Sequence, residues 1–256
     1  MAHEIDNPNY ALLGSLGSLE MALDDLKDII PQDRMEHLKS KISRARFNSK
    51  RISKMIQAVR EFSKASTGEL KPIKFEWIID SFLSIIQPLI NYNGITYTQE
   101  LPKEVVWLRA NKIEIEQVLV NLATNSVQAI NEIWQAQQNT PESKKEITLK
   151  AYEAGQNILR IDFSDTGPGI KKEILEDIFL DFVTTKASSV GTGLGLSISR
   201  KIIQKHNGKI RAESDGENRG ATFYIELLIP SDITEEEKAQ AERDHADEGK
   251  KDVFKQ

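Results

Sequence analysis

The run Asp165-Thr166-Gly167-Pro168-Gly169-Ile170, followed by Gly191-Thr192-Gly193-Leu194-Gly195-Leu196, decides how this sequence is interpreted. Glycine lets the backbone approach a phosphate closely, and free N–H groups at a helix N-terminus attract anions. The first run places an aspartate at the end of an apolar strand, and the second run opens an apolar helix. The two glycine-rich turns therefore predict a nucleotide pocket.

The second turn excludes the two commonest phosphate-binding motifs. No Lys-Ser or Lys-Thr pair follows its last glycine, so it is not a P-loop. The stretch before it, residues 184–190, is polar and irregular, whereas a dinucleotide-binding fingerprint follows a strand. The pocket must belong to another class of nucleotide-binding protein.

An upstream helix carries two amides on one face. Asn121 and Asn125 are four residues apart in a predicted helix over 112–138 that is otherwise largely apolar. The pair is either a hydrogen-bonded pair within the core or a pocket wall whose amide oxygens help to hold a hydrated Mg²⁺ ion. Asp165 likewise either accepts a hydrogen bond from a ligand amine or only shapes its turn.

Composition limits the function further. The 256 residues contain no cysteine, which excludes disulfides and thiolate metal sites, and the four histidines are scattered. The net charge of −5 is mild, so we expect no nucleic-acid partner. No apolar run is long enough to span a membrane and no signal peptide is visible, so we expect a cytoplasmic segment without membrane contact.

The N-terminal part has two apolar heptad stripes joined by a short turn at Pro31, which predicts an antiparallel helical hairpin over residues 1–66. Such a hairpin has too little core to stand alone, so we expect a homodimer in which two copies form a four-helix bundle. The second helix is basic, either to dock an acidic partner or to pair with acids on the first helix. The stripes comprise Ile5, Leu12, Leu16, Leu19, Leu23, Leu26 and Ile30, then Met35, Leu38, Ile42, Ala45, Ser49, Ile52, Ile56 and Val59.

The remainder divides into three segments. Residues 67–71 are polar and indicate a linker, and residues 72–230 alternate helices with strands, which predicts a two-layer α/β sandwich with a mixed sheet. The expected helices cover 76–90, 112–138, 171–179 and 193–206, and the expected strands cover 95–99, 105–109, 146–154, 157–164, 209–214 and 221–229. The charged tail, 231–256, has nine acidic and five basic residues and is expected to be flexible or a frayed helix.

Five motifs occur in a diagnostic order: Asn-x-x-x-Asn, the Asp165 turn, Phe182-Val183-Thr184-Thr185-Lys186, the Gly191 turn, and Gly220-Ala221-Thr222-Phe223. Together they resemble the ATP-binding domain of sensor histidine kinases, within the gyrase, Hsp90, histidine kinase and MutL ATPases. The resemblance implies an α+β protein with a Bergerat-type ATP-binding fold over 72–230. It extends to His3-Glu4-Ile5-Asp6-Asn7-Pro8, which is similar to the dimerisation and phosphoacceptor helix, although Asn9 replaces the usual leucine.

The resemblance implies a role for each matching residue. Asn125 would bind Mg²⁺ with Asn121 beside the phosphates, and Asp165 would accept a hydrogen bond from the adenine amino group, in a turn shaped by Gly167 and Gly169. The segment 179–190 is similar to a mobile ATP lid, and His206 falls at a helix end as a capping residue. The other expected nucleotide-binding residues are Lys186, Gly191, Thr192, Gly193, Leu194, Gly195 and Thr222.

The implied chemistry is phosphotransfer from ATP to His3 and then to an aspartate on a response regulator receiver domain. Glu4 would hold the imidazole, and Asn7 would orient a water for dephosphorylating the regulator. At Asn121 the water-activating ATPases of the superfamily carry a glutamate base; an amide cannot take that proton, which favours a kinase. A serine-type kinase or plain ATPase of the same superfamily, and a non-enzymatic scaffold, remain alternatives.

Overall fold

The computed structural model describes residues 2–26, 29–65, 68–136, 144–155, 157–183 and 193–253. The chain divides into two compact units. One contains Met1–Thr67 and Leu180–Gly195, and the other contains Gly68–Phe179 and Leu196–Gln256.

Two long helices, α1 (Ala2–Asp25) and α2 (Gln32–Ala65), form the N-terminal hairpin. Their antiparallel arrangement is fixed by pairs such as Lys39 Nζ with a carboxylate oxygen of Asp24, at 2.7 Å, and Arg46 with Glu20, at 2.5 Å. These two contacts favour pairing within the hairpin as one role of the basic charge on α2. In the described part of the chain, no helix is long and apolar enough to cross a membrane.

Of the stripe residues whose side chains the structure describes, roughly half are buried or packed inside the hairpin. The buried half, spaced seven residues apart along each helix, packs into one cluster: Leu16, Leu23, Met35 and Ile42. The other half is 38–51% exposed: Leu12, Leu19, Leu26, Leu38 and Ile52. In a four-helix bundle each helix packs against more than one neighbour, so apolar positions that one neighbour leaves exposed can be covered by another. The hairpin therefore leaves one apolar face on each helix without cover from the other helix.

The second unit is built on a five-stranded mixed sheet. Its strands are β2 (Thr96–Glu100), β4 (Glu146–Glu153), β5 (Ile158–Asp165), β6 (Lys209–Glu213) and β7 (Ala221–Leu228), in the order β2-β4-β5-β7-β6. The β2–β4 pair is parallel and the other three pairs are antiparallel. Alternate residues of β5 and β7 are buried, so one face of the sheet packs on the core.

Three helices supply the other layer: α3 (Phe75–Tyr92), α4 (Lys112–Ala136) and α5 (Gly195–Lys205). Apolar residues at helical spacing on α3 and α4, such as Phe82 and Leu119, are fully buried, as is Phe163 on the sheet. Helices on one face of a mixed sheet confirm the predicted two-layer α/β fold. The helix expected over 171–179 is instead two short 3-10 helices, Lys172–Ile174 and Asp177–Phe179.

A second, two-stranded sheet was not expected from the sequence. β1 (Lys71–Lys74) pairs antiparallel with β3 (Trp107–Ala110), so the last residue of the predicted linker already belongs to a strand. The sequence of β1 does not predict a strand, because it is short and charged and only Ile73 of its four residues is buried.

Of the two alternatives expected for the charged tail, the structure shows a helix rather than a flexible segment. It forms helix α6 (Glu235–Val253), which begins with a capping box in which Thr234 and Glu237 each accept a hydrogen bond from the other's backbone N–H. His245 stacks on Trp77 with ring centroids 4.1 Å apart, and Arg109 on β3 pairs with Glu237 at 3.1 Å. Aromatic stacking and ion pairs, which hydropathy does not report, attach the helix to the domain.

Candidate nucleotide-binding site

The two amides of α4 lie on one face and contact each other. Asn125 donates from Nδ2 to Oδ1 of Asn121 over 3.4 Å, and Asn121 donates from Nδ2 to the hydroxyl of Ser199 on α5 over 3.0 Å. Both asparagines are half-buried, whereas Ser199 is buried. The contact with α5 fixes the Asn121 side chain, so the pair forms an ordered polar strip on an otherwise apolar helix.

A carboxylate lies next to this strip, at the end of β5. Asp165 accepts a hydrogen bond at Oδ2 from the hydroxyl of Ser126 on α4, at 2.7 Å, and another at Oδ1 from the backbone N–H of Gly167, at 2.8 Å. Ser126 directly follows Asn125 in the chain. The structure therefore brings the amide pair and the aspartate together where α4 crosses the end of β5.

Glycines are required around Asp165 because the backbones approach closely. Gly169 has a φ of +75°, and a Cβ there would lie 2.0 Å from the carbonyl oxygen of Gly216. Gly220 has a φ of +70°, and its Cβ would lie 2.0 Å from the carbonyl oxygen of Asp165. At Gly167 a Cβ would lie 2.8 Å from Oδ1 of Asp165 itself. The first glycine turn and the turn before β7 thus form one compact wall.

Thr222 lies beside this wall. It faces Ser164 in the β5–β7 register, and the two hydroxyl oxygens are 2.9 Å apart. The expected site residues Asn121, Asn125, Asp165, Gly167, Gly169 and Thr222 are all in the second unit and surround the end of β5.

The second glycine motif is described in part. Gly193 has a φ of +68°, and its carbonyl oxygen accepts a hydrogen bond from the N–H of Phe182 over 2.9 Å. Leu194 is buried and Gly195 begins α5. Lys186, Gly191 and Thr192 lie outside the described residues. The side chains of His3, Glu4 and Asn7 do as well, although their backbone lies in α1.

A buried polar cluster lies near the start of α4. Glu114 is 1% exposed and pairs with Lys205 at 2.6 Å, and His206 accepts the N–H of Asn111 at Nε2 over 3.0 Å. Burial is the main cause that lowers the pKa of His206 below its ordinary value of 6.5. The other ring nitrogen of His206 bonds the carbonyl of Ile202, which leaves a neutral imidazole with a structural role at the end of α5.

The donor set fits Mg²⁺ only as an ion held largely by other ligands. Among the described residues no group of three or more His, Cys, Asp or Glu side chains could hold a metal. Mg²⁺ needs one or two protein oxygens when phosphates and waters complete its octahedron. Asn125 turns its amide nitrogen toward Asn121, and its Oδ1 is an oxygen of the kind that Mg²⁺ prefers.

Three residues of this site were missed from the sequence. Ser126 and Ser199 lie within largely apolar helix patterns and therefore do not stand out. For Ser126 the sequence does contain a signal, because this serine directly follows a predicted site asparagine. Gly220 opens the Gly220-Ala221-Thr222-Phe223 motif, but the sequence assigns it no role of its own. Only the structure shows that these residues contact Asp165 or Asn121.

Comparison with known proteins agrees with this geometry. Residues 110–231 match the family described as "Histidine kinase-, DNA gyrase B-, and HSP90-like ATPase". The signal transduction histidine-protein kinase AtoS of Escherichia coli (strain K12) is 30% identical over 229 residues, which make up 90% of this chain and 34% of AtoS. The C4-dicarboxylate transport sensor protein DctS of Rhodobacter capsulatus is 27% identical and matches 91% of this chain and 33% of DctS. The chain therefore spans about a third of the length of these relatives.

Solved structures resemble the chain as well. The nucleotide-free catalytic domain of histidine kinase ThkA is 31% identical, with a TM-score of 0.52, and the match covers 63% of this chain and 97% of that domain. ThkA in complex with the response regulator protein TrrA is 24% identical, with a TM-score of 0.59 over 90% of this chain and 61% of ThkA, and supports the fold. The ordered motifs, the polar strip beside Asp165 and these matches establish that the chain belongs to the sensor histidine kinase family.

Proposed function

We propose that this chain is an ATP-dependent protein-histidine kinase that phosphorylates His3 and passes the phosphoryl group to an aspartate of a response regulator. The observation that carries the proposal is the junction of α4 and β5. There Ser126, which follows the polar strip of Asn121 and Asn125, donates a hydrogen bond to Asp165. Asp165 would accept a hydrogen bond from the adenine amino group. Asn125, the residue before Ser126, and Asn121 would place their amides beside the phosphates of ATP. Thr192 and Lys186 would complete the phosphate end.

The amide at Asn121 favours phosphotransfer over hydrolysis. It is tied to Ser199 and Asn125, and an amide is no general base. The carboxylates earlier on α4 are engaged elsewhere: Glu114 pairs with Lys205, and Glu116 accepts from the hydroxyl of Ser81 at 2.5 Å. ATP would therefore keep its γ-phosphate until an imidazole arrives.

Mg²⁺ would be held through Oδ1 of Asn125, with phosphates and waters as its other ligands. When bound, the ion neutralises the charge that builds up on the phosphates. The chain's own contribution is positioning: Asn125 is set by its bond to Asn121, and Asp165 is set by Ser126 and Gly167. His3 is the nucleophile, and Glu4 orients its imidazole.

We infer that two copies form the active assembly. The exposed heptad half on α1 and α2 is an apolar face at regular spacing, and a second copy would cover it in a four-helix bundle. Residues 1–66 would then be the dimerisation and phosphotransfer hairpin, 67–71 the linker and 72–230 the ATP-binding domain. The same helix would hold Glu4 and Asn7 for regulator dephosphorylation.

Labelled ATP tests the proposal. A phosphohistidine is acid-labile and base-stable, so wild-type protein should gain such a label and His3→Gln should not. A base-labile phosphoester would instead indicate a serine-type kinase, and ATP turnover without label would indicate a plain ATPase.

Dephosphorylation of a phosphorylated regulator by Asn7→Ala at the wild-type rate would refute the role of Asn7.

A further inference from the structure

Ser126 holds the carboxylate of Asp165 in the candidate site. Its side chain is 1% exposed, and its hydroxyl donates to Oδ2 of Asp165 over 2.7 Å. The backbone N–H of Gly167 donates to the other oxygen over 2.8 Å. The carboxylate is thus fixed from one side by a side chain of α4 and from the other by its own turn.

The chemistry of a carboxylate defines which ligand groups Asp165 can accept. An ionised carboxylate only accepts hydrogen bonds and has about four lone-pair positions, so it can accept several donors at once. A purine with an amino group at position 6 offers an N–H to such an oxygen. A purine with a carbonyl at that position would point one acceptor at another, and one with hydrogen there would leave the contact unmade.

We propose that Ser126 is a positioning residue that sets the preference of this site for 6-aminopurine nucleotides by aiming Oδ2 of Asp165. The inference rests on the proposed function, in which Asp165 receives the adenine amine. Alanine at position 126 keeps the helix but removes the donor, and Asp165 can then turn about its side-chain bonds.

The experiment compares two nucleotides, ATP and purine riboside triphosphate, which lacks the amino group. Calorimetric Kd values are measured for the full chain with Mg²⁺. Ser126→Ala should bind ATP about tenfold more weakly, because Asp165 is no longer held where it accepts the amino group and must be ordered on binding. It should bind the analogue within about twofold of wild type. Ser126→Thr, which keeps a hydroxyl, should retain most of the preference.

Ser199→Ala is the matched control. It removes another buried serine hydroxyl, but its partner is Asn121 at the phosphate end. It should change the Kd of both nucleotides by the same factor. Thermal unfolding without nucleotide shows whether each variant folds, and in an Asp165→Asn background Ser126→Ala should have no further effect on the ratio of the two Kd values.

Two failures are distinguishable. If wild type binds both nucleotides equally, the adenine role of Asp165 fails and this inference fails with it. If wild type prefers ATP and folded Ser126→Ala keeps that preference, only the role of Ser126 is refuted. If Ser126→Ala lowered the affinity for both nucleotides by the same factor, the role of Ser126 would also be refuted, because its effect would then be merely structural.

Discussion

Truncating the exposed heptad half should dissociate the proposed dimer. Leu19 is 51% exposed in the hairpin. Burying a fully exposed leucine contributes about 1.5–3 kcal/mol, so covering half of Leu19 contributes about 1 kcal/mol per copy. A twofold interface counts each position twice, which gives about 2 kcal/mol. Leu19→Ala should therefore raise the dimer Kd about 30-fold.

Sedimentation equilibrium over a concentration series measures this Kd. The matched control is Met21→Ala, which removes a side chain that is 73% exposed and lies off the heptad stripe. It should leave the Kd within about twofold of wild type. Leu16, 9% exposed, belongs to the buried half, so Leu16→Ala should lower the stability of the hairpin by about 2–5 kcal/mol. A monomeric wild type, or equal Kd values for Leu19→Ala and Met21→Ala, would refute the reasoning.

Three further predictions concern the second unit. Gly220→Ala should abolish nucleotide binding or folding, since its Cβ would lie 2.0 Å from the carbonyl oxygen of Asp165; unchanged calorimetric binding and melting would contradict the close approach. Burial lowers the pKa of His206, so below pH 6.5 the unfolded chain binds a proton that the folded domain does not, and stability falls as pH falls. Urea titrations from pH 7.5 to 5.5 should show this loss, at most about 1.4 kcal/mol per pH unit from this group, and His206→Gln should reduce it. Lys205→Ala should lower the free energy of unfolding by about 3 kcal/mol, because it removes the cation that pairs with the buried Glu114. In the same urea titrations, adding Glu114→Leu should recover much of that stability.

The sequence predicted the fold well where periodicity is strong. The alternation in β5 and β7 and the apolar faces of α3 and α4 are direct consequences of burial on one side. β1 was missed because a four-residue strand with one buried side chain has no readable period. The low hydropathy of the tail left a frayed helix and a flexible segment as alternatives, whereas the Thr234-x-x-Glu237 capping box, visible in the sequence, favours the helix α6.

The candidate site was predictable in its motifs and unpredictable in its contacts. Asn121, Asn125 and Asp165 could be selected because polar residues at apolar positions need partners. Their partners, Ser126 and Ser199, come from packing α4 against β5 and α5, which no local pattern encodes. The roles of Lys186 and of His3 remain predictions.

Helix α6 brings the end of the second unit back to its beginning. Glu242 contacts Lys74 on β1 at 2.7 Å, and Trp77, three residues later, carries the imidazole of His245. The start of this unit and its last described helix are therefore in contact. Such proximity suits circular permutation: a short bridge could join α6 to the start of β1, and new ends could open at an exposed hairpin turn such as Gly155.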